Sequence, residues 1–212
     1  MKSIEEHFSH LGVVPVVVIK EVKDALPLAK ALIDGGLPCA EITLRTPAAE
    51  DAIQAICREY PDMLVGTGTV LTVEQVKRTA AAGAKFMVSP GFDPEIVDFC
   101  KSENIPVFPG CMTPTEVTLA IKCGLKTVKF FPAQQAGGPA MIKTLSAPYP
   151  DLTFMPTGGI SAANLKDYLS LPCVLCCGGS WITDQSLILS GSFSKITALA
   201  QEARELAAAL KK

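Results

Sequence analysis

A lysine in the middle of an apolar run is the residue with the most chemistry in it. Lys129 stands in Thr127-Val128-Lys129-Phe130-Phe131-Pro132. Alternation along a strand would put Val128 and Phe130 on one face, and Thr127, Lys129 and Phe131 on the other. In a sheet covered on both faces, neither direction leads easily to water. An amine held out of water is disfavoured as the ammonium, and the neutral form can attack a carbonyl carbon and become an imine. The competing reading is a lysine near a strand end that snorkels to solvent.

A second run repeats the pattern. Glu41, Thr43 and Arg45 alternate with Ile42 and Leu44, and a third run sets Thr67 and Thr69 off from Gly66 and Gly68. If helices cover the outer face of the sheet, the polar set must look inward. Glu41, Arg45, Thr69 and Lys129 then converge from three strands on one interior, near the C-terminal strand ends where barrel active sites lie. Lys129 would form an imine with a keto group, and Glu41 would move protons among carbinolamine, imine and enamine, directly or through a water. Arg45 offers a forked donor to a carboxylate, and the Thr69 hydroxyl a further one. A purely structural buried ion pair is the alternative, but such pairs gain little net stability. Four polar groups where Val or Leu would pack better favour function.

Two glycine pairs complete the set. Thr157-Gly158-Gly159-Ile160-Ser161 and Gly178-Gly179-Ser180-Trp181 read as turns after a seventh and an eighth strand. Bare amides with a helix N-terminus beyond them suit a phosphate, and these two loops are where barrels hold one. Glycine pairs also make ordinary tight turns.

The elements that must position these residues recur regularly. Strand-like runs occur at 13–19, 39–45, 64–70, 86–90, 107–111, 127–131, 153–157 and 174–177, with starts 20 to 26 residues apart and a helix-like segment in each gap. Gly36, Gly83 and Gly124 punctuate the ends of three of those segments as left-handed caps. Val22, Leu26, Ala29 and Ile33 form one apolar helix stripe, and Ile196, Leu199, Ala203, Leu206 and Leu210 another. Ser3-x-x-Glu6 is a capping-box pattern opening a short N-terminal helix. Eight βα units close most simply as an α/β fold of the (β/α)8 TIM-barrel type, with residues 1–212 as a single domain. A doubly wound open sheet is the competitor, but no Gly-x-Gly-x-x-Gly follows the first strand.

Composition narrows the classes further. The chain has 212 residues, 49% of them hydrophobic and 19% charged, with a formal net charge of -2. Its Lys and Arg are scattered, which argues against nucleic acid. Residues 11–19 lack a basic leader and read as a first strand rather than a signal peptide. No apolar run has the length of a membrane span, so a soluble cytoplasmic protein is expected. Of the eight cysteines, Cys173, Cys176 and Cys177 come closest to a ligand cluster, yet they lie in a run that reads as a buried strand. His7 and His10 both precede the first strand, so neither a metal site nor another cofactor is expected.

Taken together, Glu41-Ile42-Thr43-Leu44-Arg45-Thr46, Gly66-Thr67-Gly68-Thr69-Val70, Val128-Lys129-Phe130-Phe131-Pro132-Ala133, Thr157-Gly158-Gly159-Ile160 and Gly178-Gly179-Ser180-Trp181 resemble the KDPG (2-keto-3-deoxy-6-phosphogluconate) aldolase / 4-hydroxy-2-oxoglutarate (KHG) aldolase family. The likeness runs in order over essentially the whole chain. It implies a metal-independent class I aldolase with 2-keto acid and sugar-phosphate substrates, a (β/α)8 barrel and a homotrimer. It also implies roles: Lys129 as the Schiff-base residue, Glu41 as the proton shuttle, and Arg45 and Thr69 as pyruvate-carboxylate ligands. Pro90 and Phe131 resemble the apolar wall around the pyruvyl methyl, Thr157 fits the substrate pocket of gluconate-type members, and Gly158, Gly159, Gly179 and Ser180 resemble the phosphate cradle. Two positions depart from the pattern: Gln134 stands where many relatives carry an acid, and Thr67, expected to be an inward hydroxyl, where alanine is common. Two rivals remain: a phosphate-binding epimerase or isomerase, which needs no buried lysine, and a non-catalytic metabolite-binding barrel.

Overall fold

The computed structural model describes residues 3–210. Helix α1 (Ile4–Leu11) opens on a capping box in which Ser3 and Glu6 satisfy each other's backbone amides, and it ends at Gly12 with φ 77°. Strands β1 (Val13–Val17), β2 (Cys39–Thr43), β3 (Leu64–Gly68), β4 (Met87–Val88), β5 (Val107–Phe108), β6 (Thr127–Phe130), β7 (Thr153–Pro156) and β8 (Cys177–Gly179) follow in turn. The helices between them are α2 (Ala25–Asp34), α3 (Ala49–Glu59), α4 (Val73–Ala81), α5 (Pro94–Ser102), α6 (Pro114–Lys122), α7 (Gly138–Ser146) and α8 (Leu165–Leu169). After β8 come α9 (Gln185–Leu189) and α10 (Phe193–Leu210).

Six strands pair in the order β5-β4-β3-β2-β1-β8, and β6 pairs with β7. Isolated parallel bridges Gly110–Lys129, Phe154–Val174 and Thr157–Gly178 join the two sheets on both sides. The ring therefore closes, and the architecture is the (β/α)8 barrel with a short N-terminal helix. Gly36, Gly83 and Gly124 cap as expected, with φ 78°, 104° and 79°.

Register decides which residues see the interior. Glu41 is opposite Gly66 and Thr43 opposite Gly68, while Ile42 is opposite Thr67. Residues opposite one another in a parallel pair share a face, so Gly66 and Gly68 look inward with Glu41, and Thr67 looks outward with Ile42. Thr67 is thus not the inward hydroxyl expected from its place beside Thr69. Its Oγ1 is buried without a hydrogen-bond partner.

Space in the interior is taken by aromatic rings at one level. Phe8 of α1 packs edge-on against Phe86 at 5.0 Å between centroids and lies 5.5 Å from Phe108. A Cβ on Gly66 would come within 2.3 Å of the Phe86 ring, so only glycine admits that ring.

Two helix stripes match expectation only in part, at Ala29, Ile196 and Ala203. On α2 the buried residues are Ala25, Leu28, Ala29, Ala31 and Leu32, while Val22 precedes the helix and is exposed; on α10 they are Ile196, Ala200, Ala203 and Ala207. Small residues mark these faces because the backbones approach closely. A Cβ on Gly35 would lie 2.5 Å from the Ala200 Cβ, and one on Gly12 would lie 2.6 Å from that of Ala207. The eighth strand also sits later than the apolar run at 174–177 suggests, because Gly178 and Gly179 belong to it.

Candidate active site

Lys129 and Glu41 meet in the barrel interior. Lys129 is 5% exposed and Glu41 0%, and Lys129 Nζ donates to Glu41 Oε1 at 3.1 Å. The lysine backbone is pinned on one side: its N–H donates to the Pro109 carbonyl at 2.9 Å, and its carbonyl accepts from Cys111 N–H at 2.8 Å. Gly68 makes room for the carboxylate, since a Cβ there would lie 2.3 Å from Oε1. The other carboxylate oxygen, Oε2, is buried and has no partner. Buried polar atoms are normally satisfied, so Oε2 is a buried acceptor with capacity left for a donor. Phe131 lies on the same face, with Lys129 Nζ 5.4 Å from its ring centroid.

Arg45 and Thr69 lie just past the ends of β2 and β3 rather than within them. Strand alternation therefore does not place them; loop geometry does. Thr69 has φ 59°, the left-handed region that is costly for a branched side chain. That turn brings its Oγ1 within 3.4 Å of Arg45 Nε. Arg45 is exposed, and among the described residues it is ion-paired with no carboxylate. Its guanidinium is thus open to an anion arriving from solvent.

The remaining expected residues lie on the same C-terminal rim. Pro90 follows β4, and its carbonyl presses on Gly110, where a Cβ would lie 2.0 Å away. Gly110 in turn bridges Lys129. Thr157 follows β7, is 6% exposed, and its Oγ1 has no partner. Across the β7–β8 junction, a Cβ on Gly178 would lie 2.2 Å from that hydroxyl. Gly178 must therefore lack a side chain for Thr157 to keep its place. Gly158 and Gly159 turn with φ 104° and 72°, and Phe131 Cδ2 is 3.4 Å from where a Cβ of Gly158 would stand.

The phosphate expectation needs one correction. Gly179 lies inside β8 under the Trp181 ring, and exposed Ser180 leads into the short 3-10 turn Trp181–Thr183. After Gly159 the next helix, α8, starts only at Leu165 and is 5 residues long. Neither glycine pair opens directly onto a long helix, so any anion held there would rely on the turns themselves. The two turns are neighbours through the Thr157–Gly178 bridge.

Sequence reading missed the roles of Gly66, Gly68 and Gly178 as residues that give way to a neighbour. Glycine inside a strand was the available signal. Burial pushes the Cys100 thiol up to about 11 and the Cys111 thiol up to about 12, with Glu116 adding to the second. Among the described residues no three His, Cys, Asp or Glu side chains are grouped as metal ligands would be. Among them, too, no helix is long and apolar enough to cross a membrane.

The family described as "KDPG and KHG aldolase" matches residues 4–199. The chain is 48% identical over 206 residues to the 2-dehydro-3-deoxy-phosphogluconate aldolase of Treponema pallidum (strain Nichols), covering 97% of this chain and 98% of that protein. It is 45% identical over 193 residues to the KHG/KDPG aldolase of Escherichia coli (strain K12), covering 91% of each. Among solved structures, the KDPG aldolase of Legionella pneumophila, with pyruvate captured at low pH as a covalent carbinolamine intermediate, superposes with a TM-score of 0.91 at 42% identity, covering 94% of this chain and 97% of that one.

Proposed function

Since this chain belongs to the KDPG and KHG aldolase family, we propose that it is a class I aldolase. Its substrates would be 2-dehydro-3-deoxy-6-phosphogluconate, cleaved to pyruvate and glyceraldehyde 3-phosphate, and 4-hydroxy-2-oxoglutarate, cleaved to pyruvate and glyoxylate. The observation that carries this reading is the buried Lys129–Glu41 pair whose second carboxylate oxygen is unoccupied.

The chemistry follows from that pair. The proton in the Nζ–Oε1 hydrogen bond passes to the carboxylate, and the free amine adds to the C2 keto carbon of the substrate. Glu41 gives that proton to the departing hydroxyl, so the carbinolamine loses water to an iminium, which serves as an electron sink, and Glu41 is a carboxylate again. Glu41, directly or through one water, takes the proton of the C4 hydroxyl as the C3–C4 bond breaks. The electrons of that bond enter the iminium as an enamine, and the aldehyde leaves. Protonation of the enamine at C3 and hydrolysis of the imine release pyruvate and restore the lysine.

The other residues bind and orient. Arg45 and Thr69 hold the substrate carboxylate, a role supported by a guanidinium free of any carboxylate and by the hydroxyl turned toward it. Pro90 and Phe131 wall the pyruvyl methyl. Thr157 offers its unpartnered hydroxyl to a substrate hydroxyl, and Gly158, Gly159, Gly179 and Ser180 take the phosphate. This reading includes one barrel domain working without metal in the cytoplasm as a homotrimer. Support for the trimer comes from the family likeness, and Leu119, Ile121 and Met141, exposed on α6 and α7, offer apolar surface for it. Sedimentation velocity would show about three chains per particle.

The direct test is a cleavage assay with either substrate, coupled to NADH-dependent reduction of the pyruvate released. Steady NADH loss without added metal and unaffected by a chelator is expected. No pyruvate from either substrate would reject the reading.

A further inference from the structure

Tyr168 is wholly buried in α8, yet its hydroxyl reaches Gln134, an exposed residue of the β6–α7 loop, and donates to its Oε1 at 2.7 Å. A buried phenol needs an acceptor, and phenylalanine would fill the same core volume with none. The structure spends a glycine on this bond. A Cβ on Gly138, which has φ 60°, would stand 3.3 Å from the Tyr168 oxygen and 3.6 Å from Gln134 Oε1.

Gln134 lands on the glycine turn. Its N–H donates to the Gly158 carbonyl at 3.0 Å, Ala133 N–H donates to the Thr157 carbonyl at 2.8 Å, and a Cβ on Gly159 would lie 2.5 Å from the Gln134 Cβ. From the opposite side, Asn164 Nδ2 donates to the Gly159 carbonyl at 3.0 Å and its Oδ1 accepts from Ser161 N–H at 2.8 Å. The turn is therefore clamped between two side chains. One of them is anchored in the core by Tyr168.

We infer that Tyr168 and Gln134 are positioning residues that hold the β6–α7 loop against the turn at Gly158 and Gly159, and so set the affinity for the phosphorylated end of the substrate. This inference rests on the aldolase reading above. Neither side chain hydrogen-bonds to Lys129 or Glu41, so the imine steps should not feel them. The amide matters only as an acceptor, and a carboxylate at 134 could accept the same bond.

The test compares the phosphorylated substrate with 4-hydroxy-2-oxoglutarate, which carries no phosphate. Tyr168→Phe and Gln134→Leu should each raise KM for the phosphorylated substrate by roughly three- to tenfold, the scale of one hydrogen bond. Both should leave kcat/KM for 4-hydroxy-2-oxoglutarate within about twofold, and Gln134→Glu should restore the parent KM. Gln134 is exposed, so Gln134→Leu keeps the test open if the core variant folds poorly. Parallel loss on both substrates, an unchanged KM in both variants, or a Gln134→Glu that behaves like Gln134→Leu would overturn the inference. Failure of the parent to cleave either substrate would instead defeat the aldolase reading.

Discussion

Gly66 and Gly68 occupy the same inward face of β3, two residues apart, and each gives way to a different kind of neighbour. Gly66 yields to the Phe86 ring, which packs with Phe8 and Phe108. Gly68 yields to the carboxylate of Glu41, which meets Lys129. One level of the barrel is therefore closed by aromatic rings whose value is the water they exclude. The next level toward the C-terminal rim holds an ion pair whose desolvation brings no stability that apolar side chains could not match or exceed. The same local device, a missing side chain, makes room for an aromatic ring in one place and for a buried carboxylate in the other.

Substitutions at the two levels should therefore fail in different ways. The largest effect is expected from Lys129→Ala or Lys129→Arg, which should abolish cleavage while the far-ultraviolet circular dichroism stays that of the parent; arginine keeps the charge but cannot form the imine. Activity within about tenfold of the parent would remove Lys129 from the mechanism. Glu41→Gln should still trap pyruvate but lower kcat by roughly a hundredfold or more, the scale of one proton-transfer group. An unchanged kcat would take Glu41 out of the proton relay.

The sharpest contrast lies between the two glycines. Gly68→Ala should displace Glu41 and lower kcat by on the order of a hundredfold, because small misplacements of a reacting group are costly. Gly66→Ala should press on Phe86 and cost about 1–3 kcal/mol of stability, seen as a lower Tm with kcat retained. If both variants lost activity and stability in equal proportion, the two levels would not be distinct. The smallest effect is expected from Arg45→Lys, which loses the forked donor and should weaken pyruvate binding by roughly tenfold. Equal pyruvate affinity in isothermal titration would contradict its role.

How far the sequence carried the interpretation differs by residue. Lys129 and Glu41 were legible because both stand inside strands, where alternation and register leave few choices. The capping box at Ser3 was legible because it is entirely local. Arg45 and Thr69 stand out in the sequence by residue type but not by geometry, since both lie in loops and Thr69 takes a backbone conformation that breaks alternation. Extending the alternation through Thr69 is what assigned Thr67 to the wrong face. The eighth strand was displaced because Gly178 and Gly179 read as a turn, whereas their lack of side chains accommodates Thr157 and Trp181 from within the strand. On α10, leucines draw the expected stripe away from Ala200 and Ala207, which are buried against the ends of α2 and α1. Hydrophobicity marks a buried face less well where close approach demands small residues. The Tyr168–Gln134 bond spans 34 positions in the chain and leaves no periodic trace.

The most direct measurement is borohydride reduction of the protein in the presence of pyruvate, followed by intact-mass and peptide mass spectrometry. A single reduced pyruvyl adduct per chain, located on Lys129, is the expected result. A folded protein that gives no adduct with pyruvate present, or an adduct on a different lysine, would contradict imine chemistry at the Lys129–Glu41 pair.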